Sequence, residues 1–321
     1  MKKIFIIKHY DNSLLGEFKE DFILNFSEVH DIHVYSYKLT KFQVQLSRYT
    51  YGILSKFNIK IPWSKKNHDI INFAMIFGPD FSKFLKSSIK SGSVSAYMMD
   101  AWPQYFDRIK TAIRYYDIET LFFSSKQVTE YFQKENIIKN AIWLPEAINP
   151  KKYVFKKLKD KNKDVISIGR KWKQYHARII EPLIINNKSY KYEIDKTLMF
   201  EISSDLFKEL SDSKVSICVP SIITHPLRSG DINTMTQRYL QSMASGCLVL
   251  GISPPEMIDL FGYDPVIQIE ENNEAEQILN ILNNIERYQD LVDKNYTTVL
   301  SSHTFHNRWL LIIEHFLKQC N

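Results

Sequence analysis

Short apolar runs alternate along the chain with longer stretches in which apolar residues recur every three or four positions. The short runs have the length of buried strands, and the longer stretches have the period of amphipathic helices. In the first half, the pattern predicts strands at residues 4–7, 32–37, 73–77, 94–99 and 121–123, and helices at residues 14–26, 81–89, 108–116 and 128–135. Strands that alternate with helices indicate βαβ units, and hence an α/β fold with parallel sheets.

The pattern begins again after a segment, residues 144–163, that holds Pro145, Pro150 and many lysines. Such a segment is typical of an exposed linker or sheet edge. The second half then predicts strands at residues 165–168, 215–219, 248–250 and 266–269, and helices at residues 177–185, 206–210, 235–245, 275–287 and 288–301. A chain of 321 residues fits two domains of about 100–200 residues each.

A last amphipathic helix is predicted at residues 304–318. Its apolar residues recur at helical spacing: Phe305, Trp309, Ile312, Ile313 and Phe316. A stripe of this kind must be buried against another part of the protein.

Composition excludes several classes of protein. No run reaches the about 18 apolar residues of a membrane span, and the first apolar run is too short for a signal peptide. The Cys and His residues show no metal-ligand spacing, so we predict no metal and no cofactor, and read Cys218 and Cys247 as core thiols. The net charge of +6 comes without the basic pattern of a nucleic-acid-binding helix. We therefore expect a cytoplasmic protein that does not bind nucleic acid.

The first motif with candidate chemistry follows the predicted strand at residues 165–168. Gly169 lets the backbone turn and a ligand approach, and Arg170 and Lys171 come directly after it. Ligands of α/β proteins bind at the carboxyl ends of strands, where these cations suit a diphosphate. The alternative is a polar loop with surface cations.

The second motif is the predicted helix at residues 235–245. Thr234 and Gln237 have the spacing of a capping box, and Gly246 fits the position after the helix end. Arg238 and Gln241 share a face that can meet a ligand, and a helix N-terminus attracts anions. The remaining face carries a packed stripe: Met235, Tyr239 and Met243. The alternative is an ordinary packing helix.

Candidate polar residues also follow other predicted strands. The loop after residues 215–219 offers groups that bind sugar hydroxyls and phosphates: His225, Arg228, Asp231 and Asn233. In the first half, Asp100 is a candidate general base or sugar ligand, and Trp102 a candidate stacking surface. Three residues after the first strand are expected on the same acceptor side: His9, Tyr10 and Asp11. For each of these residues, a structural or solvated role is the alternative.

Residues 43–66 mix aromatic and aliphatic residues with Arg48, Lys56, Lys60, Lys65 and Lys66. Basic-aromatic stretches can lie on an anionic membrane surface, which would suit a lipid-linked acceptor. The alternative is an ordinary packed helix and loop.

Four segments resemble the spore-maturation CgeB-type glycosyltransferases, which are similar to the group-1 glycosyltransferases. Thr236, Gln237, Arg238 and Gly246 match a "T-Q-R-x-x-E-x-x-x-x-G" pattern. Residues 302–308 resemble a closing "H-T-x-x-x-R" helix, and residues 144–150 an "L-P-x-x-x-D" entry to the donor domain. Residues 254–261 resemble the family's loop and helix ahead of its last strand. The good coverage runs over residues 144–316.

The resemblance implies a GT-B fold, in which two Rossmann-like domains face a cleft. Residues 1–148 would form the acceptor-side domain, residues 149–303 the donor domain, and residues 304–321 a helix that crosses back to the first domain. It also implies a metal-independent enzyme, with retention favoured over inversion. The enzyme would move a sugar from a nucleotide-sugar to a glycan, lipid-linked or protein acceptor in surface polysaccharide or glycoconjugate synthesis, with peripheral membrane contact as one setting.

In this interpretation, Gly169, Arg170, Lys171 and Arg238 meet the diphosphate, aided by Thr234, Met235 and Thr236 at the helix start. Asp100 serves the acceptor hydroxyl or the donor sugar. The family's ribose-binding Glu falls on Gln241, which can bind a ribose only as a neutral group, so Asp231 could share that contact. The alternatives are a non-catalytic nucleotide-binding protein of the same fold, and a sugar-nucleotide epimerase or phosphorylase.

Overall fold

The computed structural model describes residues 3–9, 14–25, 33–56, 67–81, 84, 92–169, 171–194 and 199–318. The chain forms two compact units. The first consists of Met1–Pro145 and Arg228–Ile232, and the second of Glu146–Leu227 and Asn233–Asn321. Each unit has its own parallel sheet with helices around it.

The first unit is built on a six-stranded sheet in the order β2-β1-β3-β4-β5-β6. Its strands are β1 Lys3–His9, β2 His33–Leu39, β3 Asn67–Phe77, β4 Gly92–Met99, β5 Ile118–Phe123 and β6 Asn140–Trp143. Its helices are α1 Leu14–Leu24, α2 Lys41–Lys56, α3 Phe106–Tyr116 and α4 Lys126–Glu135. All described strand pairs are parallel, and β4 is buried at every position, as a central strand covered on both faces must be.

Local sequence sets where two of these helices end. Asp117 and Asn136 follow α3 and α4 with φ of 51° and 50°. Aspartate and asparagine tolerate this left-handed conformation better than most residues, and so they end a helix well. Of the helix predicted at residues 81–89, only Phe81 and Phe84 lie inside the described residues, and both are buried outside any helix.

The second unit is built on a five-stranded sheet in the order β11-β10-β9-β7-β8. Its strands are β7 Lys163–Ile166, β8 Tyr190–Lys191, β9 Ser213–Cys218, β10 Leu248–Gly251 and β11 Ile267–Gln268. The helices that follow the linker are α5 Lys173–Ile185, α6 Ser203–Asp212, α7 Ser221–Thr224, α8 Pro226–Ser229, α9 Gln237–Ala244, α10 Pro255–Phe261, α11 Glu274–Asn283, α12 Gln289–Ser302 and α13 Phe305–Lys318. The predicted repetition of the α/β pattern is therefore confirmed.

The lysine-rich segment at residues 144–163 is not uniformly exposed, and the prediction of an exposed linker is wrong at Lys161. That side chain is 4% exposed, and its ammonium donates hydrogen bonds to the carbonyls of Leu210, Ser211 and Ser245 at 3.1, 2.9 and 2.8 Å. These carbonyls lie at the ends of α6 and α9, where a cation satisfies orphan acceptors. Burial lowers the pKa of Lys161 below its ordinary value.

The apolar stripe of α13 is buried as predicted: Phe305, Trp309, Ile312, Ile313 and Phe316. The opposite face exposes Leu310, Leu311 and Leu317. The packing of this helix on the first unit stays a prediction. Cys218 and Cys247 are buried, as expected of core thiols.

Candidate functional site

The candidate donor site lies in the second unit, at the edge of the sheet where β7, β9 and β10 end. The strands are parallel, so the loops that follow Ile166, Cys218 and Gly251 leave the sheet on the same side. This is the side on which α/β proteins bind ligands. The predicted donor residues of the second unit lie in these loops or in α9, which precedes β10.

Gly169 forms the turn after β7 with φ of 74°. An added Cβ would lie 3.3 Å from the Nη1 of Arg238, so a side chain here would crowd the guanidinium as well as strain the backbone. Lys171 follows, half-buried, with its ammonium 4.7 Å from the ring centroid of Tyr192. Arg170 lies outside the described residues. The turn therefore brings a backbone bend, the Lys171 ammonium and the Arg238 guanidinium to one edge of the sheet.

Arg238 links the elements that meet at this edge by hydrogen bonds. Its guanidinium donates hydrogen bonds to the carbonyls of Ile168 and Val219 at 3.0 and 3.3 Å, and to the hydroxyl of Thr236 at 3.3 Å. The ends of β7 and β9 are thereby fixed to the start of α9. A guanidinium has more N–H donors than these contacts use, so Arg238 can serve structure and also meet an anion.

The helix that carries Arg238 begins at Gln237, later than the sequence predicts, and the capping box does not form. The hydroxyl of Thr234 and the backbone N–H of Met235 both donate to Glu256 at 2.6 Å. Glu256 is 4% exposed. A buried carboxylate needs such donors, and it outcompetes the local cap. Thr236 becomes the N-cap residue, with no side-chain capping bond.

A second carboxylate fills the first turn of α9. Glu146 accepts a hydrogen bond of 2.6 Å from the backbone N–H of Gln237, whose side-chain amide donates to the carbonyl of Ala147 at 3.3 Å. The Glu146 carboxylate thus already interacts with the positive N-terminal end of the α9 dipole. Sequence reasoning missed Glu146 and Glu256 as site residues, although both lie in segments that carry the family resemblance.

Gln241 lies one turn after Gln237 and is half-buried. Its side-chain amide makes no hydrogen bond to any residue within the described ranges. The amide can therefore bind a ligand without breaking a hydrogen bond to any of the described residues. This is the neutral counterpart of the carboxylate that the resemblance places here.

The loop after β9 divides between the two units. His225 ends α7 in the second unit, with its Nδ1 2.8 Å from the hydroxyl oxygen of Thr224, and Asn233 is half-buried in the same unit. Arg228 and Asp231 belong to the first unit, and both are exposed. Arg228 and Asp231 therefore fall in a different unit from His225 and Asn233.

The first unit brings Asp100, Trp102 and Arg228 together. Asp100 follows β4 with φ of 55°, and its carboxylate lies 3.0 Å from the Nη2 of Arg228. The guanidinium carbon is 5.3 Å from the ring centroid of Trp102, which is buried. Burial raises the pKa of the Asp100 carboxyl, and the Arg228 guanidinium opposes this shift. A strained, partly buried carboxylate beside a cation can hold a hydroxyl group or accept its proton.

The three other residues predicted on the acceptor side are His9, Tyr10 and Asp11, and their side chains lie outside the described residues. His9 is the last residue of β1, but its side chain is outside the described residues, as are Tyr10 and Asp11 altogether.

Among the described residues, no group of three or more His, Cys, Asp or Glu could hold a metal ion. None of their helices is long and apolar enough to cross a membrane.

Comparison with known proteins shows the fold. No family model and no curated protein matches this chain. Among solved structures, the E. coli trehalose-6-phosphate protein bound to UDP-2-fluoro glucose is 10% identical, with a TM-score of 0.57 over 98% of this chain and 99% of that one. HepE of Anabaena in complex with UDP is 9% identical, with a TM-score of 0.56 over 99% and 100%. S. aureus MnaA with UDP is 9% identical, with a TM-score of 0.54 over 98% and 96%.

These neighbours confirm the predicted GT-B fold, with two Rossmann-like units. The narrower resemblance to the CgeB-type enzymes stays a prediction.

Proposed function

We propose that this protein is a glycosyltransferase, which binds a nucleotide-sugar at the second unit and moves the sugar to an acceptor. The observation that carries the proposal is the edge where β7 and β9 end and α9 begins, which holds Gly169, Lys171 and Arg238, with Gln241 one turn further along α9. Cations and an open amide at such an edge suit a nucleoside diphosphate. Structures of the same fold that were solved with UDP support a nucleotide as the ligand.

The roles follow from charge and position. Lys171, together with Arg170, faces the diphosphate and stabilises the negative charge that grows on it as the sugar leaves. Arg238 holds the strand ends in place and adds its charge at the same edge. Gln241 binds the ribose hydroxyls. Asn233 and His225, in the loop after β9, are further contacts to the donor. Because Glu146 and Glu256 occupy the start of α9, the turn at Gly169 is the main phosphate contact.

Acceptor chemistry is assigned to the first unit, where Asp100 and Arg228 form an ion pair beside Trp102. Asp100 binds the acceptor hydroxyl, and Arg228 holds the carboxylate in place. The acceptor is a glycan, a lipid-linked sugar or a protein, as in surface polysaccharide or glycoconjugate synthesis. We propose transfer without a metal ion and with retention of the anomeric configuration.

Two other functions remain in view. An epimerase would convert the donor to an epimeric nucleotide-sugar without an acceptor, and a non-catalytic protein would bind nucleotide without turnover. The replacement of a carboxylate by Gln241 motivates the second alternative.

The test is nucleotide release from UDP-, GDP-, ADP-, dTDP- and CMP-sugars, with and without a mixture of glycan and lipid-linked acceptors. The proposal expects release from one donor class that depends on acceptor, survives EDTA and falls sharply in Asp100→Asn. Acceptor-independent conversion of the donor to its epimeric nucleotide-sugar, read by NMR in the same reactions, indicates an epimerase, and binding without turnover indicates a non-catalytic protein. Either result contradicts the transferase assignment.

A further inference from the structure

The second helix of the first unit, α2, has an apolar stripe on its outer surface. Phe42, Leu46, Tyr49 and Ile53 are 72%, 44%, 70% and 40% exposed. Their spacing places them on one side of the helix. The inner side is formed by other residues, including the buried Val44 and Ser47. The outer stripe is therefore additional to the face that packs on the core.

The charge of α2 is of one sign. The helix carries Lys41, Arg48 and Lys56 and no Asp or Glu. All three cations are exposed. Arg48 lies 3.0 Å from Asp80, yet its side chain remains 61% exposed. Exposed apolar side chains flanked by cations are the pattern of a helix that lies in the interface of an anionic membrane.

A cavity of about 670 Å³ opens beside the stripe. From α2 it is lined by Arg48, Gly52 and Lys56, and from the start of α3 by Asp107 and Arg108. Among the described residues, a Cβ added at Gly52 would meet no atom within 4 Å, so the cavity stays open on this side of α2. Asp80 and Asp107 also line the cavity, where they offset part of the positive charge.

We propose that α2 docks on the surface of an anionic membrane. The stripe enters the headgroup region, the lysines of α2 meet lipid phosphates, and the cavity beside Gly52 accommodates a headgroup. A second copy of the chain is a poorer occupant, because a symmetric contact through α2 would bring its cations close to their own counterparts. The proposal concerns the first unit alone, and it holds whether or not the proposed transfer reaction is correct.

The test is flotation of the full-length protein with vesicles of phosphatidylcholine alone, or with about 30% phosphatidylglycerol. We expect binding to the anionic vesicles only, and loss of binding at high salt. Phe42→Ser with Tyr49→Ser should weaken binding about tenfold or more. Lys41→Gln with Lys56→Gln should weaken it about fivefold for each lysine removed.

Matched controls remove equally exposed groups from the second unit. Ile184→Ser with Ile185→Ser, and Lys157→Gln with Lys159→Gln, should leave vesicle binding unchanged. Light scattering measures the molar mass of the protein and of each variant, and so shows whether a second copy of the chain covers the stripe. The proposal is overturned if the anionic vesicles do not bind the protein, if the controls lose binding equally, or if the α2 variants convert a dimer to a monomer.

Discussion

The carboxylate of Glu146 accepts a hydrogen bond of 2.6 Å from the backbone N–H of Gln237, the first residue of α9. The backbone around Glu146 is also held by the last part of the chain. Arg308 donates to the carbonyl of Glu146 at 3.2 Å, and Ile148 pairs with Thr304. The linker, the proposed donor helix and the start of α13 therefore form one hydrogen-bonded network. A ligand that binds at α9 must fit beside an anion that is already there.

Glu146→Gln tests this relationship, because it removes the charge and keeps an oxygen acceptor. A negative charge at a helix N-terminus stabilises by about 0.3–1 kcal/mol, so the free energy of unfolding should fall by that amount. Affinity for a nucleoside diphosphate should rise about two- to fivefold, because one repulsive charge is lost. Calorimetry and urea unfolding measure the two effects, with the exposed Glu286→Gln as control. Unchanged or weaker affinity would show that the diphosphate does not approach Gln237.

Gln241 should contribute to ribose binding through its side-chain amide. Gln241→Ala should weaken binding about two- to tenfold, the usual value of one hydrogen bond. Gln241→Glu should strengthen it, because an ionised acceptor binds a diol more tightly. The effect should be the same for the nucleoside and the nucleoside diphosphate, since both contain the ribose. An effect confined to the diphosphate would contradict this role.

The sequence predicted the alternation of strands and helices because each long element carries its own period. It did not predict β6 or β8, of four and two residues. The start of α9 was misplaced because Glu256, 22 residues from Thr234, takes the hydroxyl that the local pattern assigned to a cap. Lys161 was read as exposed because its carbonyl partners lie 49 to 84 residues away. Long-range polar pairing of this kind has no local signature.

His303, in contrast, belongs to a short local motif, and the structure gives a reason for the spacing of that motif. Its Nδ1 lies 3.0 Å from the Nη2 of Arg308, and its ring stacks on Phe261 at 4.7 Å. Arg308 in turn donates to the carbonyls of Ser302 and Glu146. The "H-T-x-x-x-R" spacing therefore places two side chains in one buried cluster that anchors α13.

The same histidine predicts a pH dependence of stability. Burial, together with the Arg308 guanidinium, lowers the pKa of His303 to about 3. An unfolded chain has a histidine pKa of about 6.5, so below that pH the unfolded state binds a proton that the folded state does not. As the pH is lowered from 6.5 to about 3, the free energy of unfolding should therefore fall, by up to about 1.4 kcal/mol per pH unit. Urea unfolding of His303→Gln should show a slope smaller by this amount, and equal slopes would refute the assignment.

The buried stripe of α13 predicts a contrast between neighbouring residues. Trp309 is fully buried, whereas Leu310 is 46% exposed. Trp309→Ala should lower the free energy of unfolding by about 3–5 kcal/mol, because it leaves a cavity. Leu310→Ala should change it by less than about 0.5 kcal/mol. Denaturant unfolding of both variants measures the contrast, and similar losses would contradict the burial of the stripe.

Titration calorimetry with UDP, GDP, ADP and dTDP measures whether the turn from Gly169 to Lys171 binds the diphosphate of a nucleotide-sugar. We expect one of these nucleoside diphosphates to bind, and Lys171→Ala to weaken its affinity about tenfold through the loss of a charge-assisted contact. Lys159→Ala, an exposed cation in the linker, should bind as the unchanged protein does. No binding by any of the four nucleotides, or equal affinity in the two variants, would show that this turn does not bind the diphosphate.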